Sequence, residues 1–145
     1  MLPSLGDGAM PVIRSAENRR TETPNGVMTT LASPAQGGAG LALWQARMGP
    51  GQQGPLHAFD AEQVWTFTEG GATVDLDGEK VRVERGDTVI MPPGAARQVF
   101  ADPRAGFTAI VAAPGGARVY IPGGGDDACE MGPMGAERIV PPWAV

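Results

Sequence analysis

The chain has 145 residues, 42% of them hydrophobic, which fits one domain with a core of its own and excludes a disordered composition. A net charge of −5, with Lys80 the only lysine and no basic run, argues against non-specific nucleic-acid binding. The single cysteine, Cys129, excludes an internal disulfide, and no apolar run is long enough to span a bilayer, so a cytoplasmic protein without a membrane partner is expected.

Residues 1–10 read as a flexible leader without the charged and apolar regions of a signal peptide, and Met10 is a candidate natural start. Residues 11–14 suggest a short strand. Residues 15–25 are polar and end in the turn signal Pro24-Asn25-Gly26, before a second short strand over 27–31. Residues 41–48 alternate strongly, with Trp44, Ala46 and Met48 on one face. The alternation resumes over 63–68, placing Gln63, Trp65 and Phe67 together, and Glu69-Gly70-Gly71 reads as a turn. Two alternating runs, 73–76 and 80–83, flank Asp77-Gly78, a strong two-residue hairpin signal. Further strands are expected over 87–91, 97–100, 107–112 and 117–121. Residues 123–145 form a tail ending in Trp143-Ala144-Val145, and such an apolar end needs something to cover it: it is expected to pack on its own barrel, with packing on a partner or lidding of the barrel mouth as the alternatives. With 22 glycines and 14 prolines punctuating these runs, the chain reads as a turn-dense, all-β single domain over residues 11–122.

The stretch from Gly51 to Ala101 carries two spaced patterns. Gly51, His57, Phe59, Gln63 and Gly70 are separated by five, one, three and six residues. Gly86, Pro92, Gly94, Arg97 and Ala101 are separated by five, one, two and three. These spacings resemble the two motifs of the cupin family, whose ligand pattern is two His and a Glu in the first motif and a His in the second. The resemblance implies a jelly-roll β-barrel, in which stacked sheets limit exposed edges. It also implies a small-molecule site in the barrel mouth and, as in many members, a homodimer.

Position by position, the resemblance leaves His57 as the one family ligand. Phe59 donates no lone pair, Gln63 is a neutral and weaker donor, and Arg97 is a permanent cation. A metal would need another donor set, with Asp60 and Glu62 nearby; a one-residue slip bringing Glu62 inward would also turn Trp65 and Phe67 outward. No metal and no other cofactor is therefore expected at this place.

His57, the only histidine, suits a general base, and a neighbouring Arg97 would keep it neutral. Arg97, facing inward, would stabilise an oxyanion, and Gln63 would orient a substrate oxygen. Phe59, Trp65 and Trp44 would wall an apolar pocket, while Tyr120 is a further substrate-binding candidate at core, rim or acid position. No histidine accompanies Cys129, so a Cys/His nucleophile is not supported. The reading is a metal-independent enzyme, an isomerase, cyclase or lyase acting by acid–base chemistry on a small aromatic or polyketide-like molecule. The alternatives are a metal-dependent dioxygenase-type enzyme and a non-catalytic small-molecule-binding protein.

Overall fold

The computed structural model describes residues 10–122 and 137–145. Ten strands follow in chain order: β1 (Arg19–Thr23), β2 (Gly26–Ala32), β3 (Leu41–Met48), β4 (Ala58–Phe59), β5 (Gln63–Leu76), β6 (Glu79–Glu84), β7 (Thr88–Met91), β8 (Arg97–Ala101), β9 (Phe107–Pro114) and β10 (Val119–Tyr120). Only two short 3₁₀ turns, Ser15–Glu17 and Pro142–Ala144, join them among the described residues. All strand pairs are antiparallel, and the fold is an all-β jelly roll.

The long strand β5 ties the two layers together. Its first half pairs with β7 and β9, and its second half with β6 and β8. The change comes at a register shift between Phe67 and Glu69. Gln63, Trp65 and Phe67 point inward before it; Ala72 and Val74 do so after it. One extra residue in a strand reverses which parity faces the core, and a bulge is the ordinary way to bend a strand from one sheet into another. Gly70 makes the bend possible. It has φ 70°, and a Cβ there would run into the carbonyl oxygen of Gly106. Glu69-Gly70-Gly71 is thus a bend within one continuous strand rather than the turn expected from its composition.

The Asp77-Gly78 hairpin forms with both residues in the left-handed region, at φ 50° and 89°, and Asp75 Oδ1 accepts from the Gly78 N–H at 2.8 Å. A second two-residue loop at Pro24-Asn25 joins β1 to β2, with Thr23 opposite Gly26. Here the structure departs from the expected elements: residues 11–14 form no strand, whereas the polar stretch contributes β1.

The core lies between the layers. Trp44, Ala46 and Met48 of β3, Trp65 and Phe67 of β5 and Phe107, Ala109 and Val111 of β9 share the inner face of one sheet. Phe67 and Phe107 meet edge to face at 5.1 Å, a geometry that aligns ring edge with ring face. Residues 137–145 lie against this barrel: Ile139 exchanges two main-chain hydrogen bonds with Val119, and Ala144 is buried. Residues 123–136, with Cys129, lie outside the described residues, as do residues 1–9 of the expected leader.

Candidate active site

The site begins with a cross-strand pair. Residues 51–57 run antiparallel to β8, and His57 and Arg97 exchange main-chain hydrogen bonds of 3.0 and 2.8 Å. Residues directly opposite in an antiparallel pair share a face. Arg97, Val99 and Ala101 take the inner face of β8, so His57 lies on the cavity side of its own segment. Val119 and Tyr120 close the neighbouring edge by pairing with Phe59 and Ala58.

A cavity of about 340 Å³ opens inside these elements. His57, Phe59, Gln63, Trp65, Trp44 and Tyr120 all line it. Arg97 does not. It is 1% exposed and lies beneath the wall, where its guanidinium donates from Nε to the Ala95 carbonyl (3.0 Å), from NH2 to the Pro92 carbonyl (3.1 Å) and from NH1 to Gln63 Oε1 (3.2 Å). The expectation that Arg97 meets a substrate oxyanion directly is therefore corrected: the cation bonds to protein oxygens, and its one hydrogen bond to a cavity-lining side chain is to Gln63. Burial lowers its pKa to about 10, against the raising influence of Tyr120 and Asp77, so it stays charged near neutrality. Its Cζ also sits 5.4 Å from the centre of the Phe59 ring, a distance at which a cation is drawn to an aromatic face.

Gln63 is held from two sides. Its Oε1 accepts from Trp65 Nε1 at 3.0 Å as well as from Arg97, and two donors at one oxygen settle which end of the amide is which. Its Nε2 is buried and has no hydrogen-bond partner. A buried amide N–H without an acceptor costs free energy, roughly 1–3 kcal/mol, and a ligand oxygen at the cavity surface would recover it.

His57 is half-buried, and its Nδ1 lies 2.8 Å from the Pro55 carbonyl oxygen. A carbonyl only accepts, so Nδ1 carries the proton in the neutral ring and Nε2 keeps a lone pair. Desolvation holds the imidazole below its ordinary pKa; the hydrogen bond to Pro55 opposes that shift and the Arg97 charge adds to it. The Phe59 ring meets the imidazole nearly edge-on at 5.5 Å. The site thus offers one acceptor, His57 Nε2, and one unused donor, Gln63 Nε2, in apolar walls.

The sequence model of the cupin domain family matches residues 44–106, the span that builds most of this cavity. That span matches the cupin domain family. Its fold is similar to that of KdgF from Halomonas sp., with a TM-score of 0.61 and 18% identity over 73% of this chain and 94% of that one. It is similar to the polyketide cyclase RemF from Streptomyces resistomycificus, with a TM-score of 0.65 and 18% identity over 75% and 82% of the two chains. It also resembles oxalate decarboxylase from Bacillus subtilis, with a TM-score of 0.65 and 17% identity over 74% of this chain and 30% of that one. No curated protein matches in sequence.

Cupins that hold a metal do so with the three His and one Glu of the two motifs, and this chain's residues do not fit such an ion. Gln63 has committed its carbonyl to two N–H donors, and one of them belongs to a cation. Glu62 is exposed while Gln63 is buried, so β5 has not slipped to present a carboxylate. Asp60 is engaged by the Arg118 main-chain N–H at 2.7 Å and its side-chain Nε at 3.2 Å. Among the described residues no three His, Cys, Asp or Glu side chains gather to hold a metal.

Three lining residues come from the tail, for which the sequence admits a lid on the mouth as one alternative but singles out no residue for the site. Glu137, Ile139 and Trp143 belong to the tail. The signal available was the apolar ending itself, Pro141-Pro142-Trp143-Ala144-Val145, which composition marks as needing cover without saying what it covers.

Proposed function

We propose that this protein is a metal-independent cupin enzyme that moves a proton on a small, flat, aromatic or polyketide-like molecule, in an isomerisation, cyclisation or elimination. The observation that carries the reading is the pairing of an imidazole whose Nε2 lone pair is free with a clamped amide whose Nε2 hydrogens are free, both bordering one apolar cavity. His57 Nε2 takes a proton from a carbon beside a carbonyl or from a hydroxyl. The C–H or O–H electron pair passes to the substrate, and charge develops on its oxygen. Gln63 Nε2 donates to that oxygen. Arg97 acts through Gln63 as a positioning residue: a positive donor on Oε1 polarises the amide and strengthens its N–H. The imidazolium then returns the proton to another atom of the substrate. Phe59, Trp44, Trp65 and Tyr120 hold the ring system and exclude water. The likeness to RemF, a polyketide cyclase, agrees with such a substrate. By family resemblance the protein works as a homodimer; exposed apolar side chains such as Ile90 and Leu56 favour an additional contact, and light scattering of the purified protein tests it.

The experiment follows deuterium uptake at the carbon beside the carbonyl in a panel of aryl ketones, by proton NMR in D2O. The wild-type protein accelerates uptake for at least one ketone, and His57→Ala abolishes the acceleration. Retention of full turnover in His57→Ala overturns the mechanism.

A further inference from the structure

The tail does more than cover the barrel. Residues 137–145 are tied to the barrel by the side chains of Arg19, Thr30 and Ser33 and by main-chain bonds to β10. Thr30 and Ser33 are fully buried hydroxyl residues. Thr30 Oγ1 donates to the Trp143 main-chain oxygen at 2.6 Å, and Ser33 Oγ to that of Val145 at 2.6 Å. Arg19 NH2 donates to the Val145 oxygen at 2.7 Å. At the other end of the tail, Ile139 bonds to Val119 in both directions, and the Arg138 guanidinium lies 4.1 Å from the centre of the Tyr120 ring. Pairing buried hydroxyls to the tail's carbonyls satisfies both at once, and it fixes where the side chain between them stands.

That side chain is Trp143. It lines the same cavity as His57 and Gln63, and its indole Nε1 is buried with no hydrogen-bond partner. Gln63 Nε2 and Trp143 Nε1 are the two buried side-chain polar atoms without a partner among the described residues, and both residues border this one space. Buried indole N–H groups ordinarily find an acceptor. Two orphaned donors on separate elements, one on β5 and one on the tail, require acceptors from outside the described residues, which a ligand or water in this space would bring.

We propose that residues 137–145 complete the ligand site and that Trp143 is a specificity-determining residue whose indole N–H donates to an acceptor on the ligand. The ligand class follows: a flat apolar ring system with two acceptor oxygens at separate positions, one for Gln63 and one for Trp143. This rests on the reading of the cavity as a ligand site, but not on any chemistry at His57. It also lies outside the span that the cupin domain model matches, so it concerns this chain's own addition to the barrel.

The test compares chromone, a flat bicycle with two oxygens across one ring, with naphthalene, which has the same flat outline and no acceptor. Each is titrated into the full-length protein labelled with ¹⁵N at its tryptophans. The three indole N–H resonances are assigned through bonds, and affinities are read from the shifts. Chromone is expected to move the Trp143 indole proton downfield saturably, and naphthalene is not. In Trp143→Phe the preference for chromone over naphthalene is expected to fall about tenfold, the worth of one hydrogen bond. If chromone binds and leaves the Trp143 proton where naphthalene leaves it, the inference is overturned and the cavity reading stands. Should neither compound bind, the cavity reading fails and takes this inference with it. The wild-type shifts decide the matter even if Trp143→Phe does not fold.

Discussion

Arg97 NH1 lies 3.2 Å from Gln63 Oε1, so the two residues that replace a histidine and a carboxylate of the family pattern are bonded to each other. The substitutions form a unit. A cation where a ligand would stand requires acceptors, and a neutral amide in place of the carboxylate supplies one of them while keeping a donor free.

This unit predicts unequal outcomes for its two members. Arg97→Met leaves the Ala95 and Pro92 carbonyls and Gln63 Oε1 short of a donor, and is expected to destabilise the fold by about 3 kcal/mol. Gln63→Met keeps the volume, removes the orphaned N–H, and is expected to cost about 1–2 kcal/mol while weakening ligand binding more than stability. Denaturant unfolding of the two variants, beside the wild type, measures both.

The His57 shift sets a pH dependence of stability. Its folded-state pKa is lowered, chiefly by desolvation, so the unfolded chain binds the proton more readily. The contribution is therefore complete above the ordinary value near 6.5 and is lost as pH falls toward the lowered value, with a slope no steeper than about 1.4 kcal/mol per pH unit. Thermal melts of the wild type and His57→Gln between pH 7.5 and pH 5 are expected to converge as pH falls. Activity that depends on the neutral imidazole declines over the same lower range.

Two glycines in left-handed conformations separate space from strain. Gly78 has φ 89° with nothing within 4 Å of where a methyl group would stand, whereas Gly70 has φ 70° and faces the Gly106 carbonyl. Gly78→Ala is expected to cost about 1 kcal/mol, and Gly70→Ala more than about 3 kcal/mol, because only the second forces the bend between sheets to open. Comparison of the two unfolding midpoints checks the difference.

Much of the frame was legible in the residues. Asp77-Gly78 names its own turn, because few other pairs tolerate two left-handed residues, and residues 41–48 alternate so strongly that β3 falls where the period puts it. The spacing of Gly86, Pro92 and Gly94 placed Arg97 on an inner face. Other features depend on partners that sequence does not display. β1 is half-exposed and polar, and becomes a strand because β2 folds back onto it. Glu69-Gly70-Gly71 suits a turn or a bulge equally, and pairing with β9 decides between them. Arg97's partners are carbonyls of its own preceding loop, which no residue type announces. Trp143 reaches the cavity only through distant anchors at Thr30 and Ser33.

The most direct measurement of the central claim is the metal content of the purified protein, taken by elemental analysis beside a His57→Ala control. An imidazole and a clamped amide doing the work predict less than about a tenth of an equivalent of iron, manganese, nickel or zinc in both, because the donors around His57 do not suit such an ion. One equivalent in the wild type that disappears in His57→Ala would contradict it.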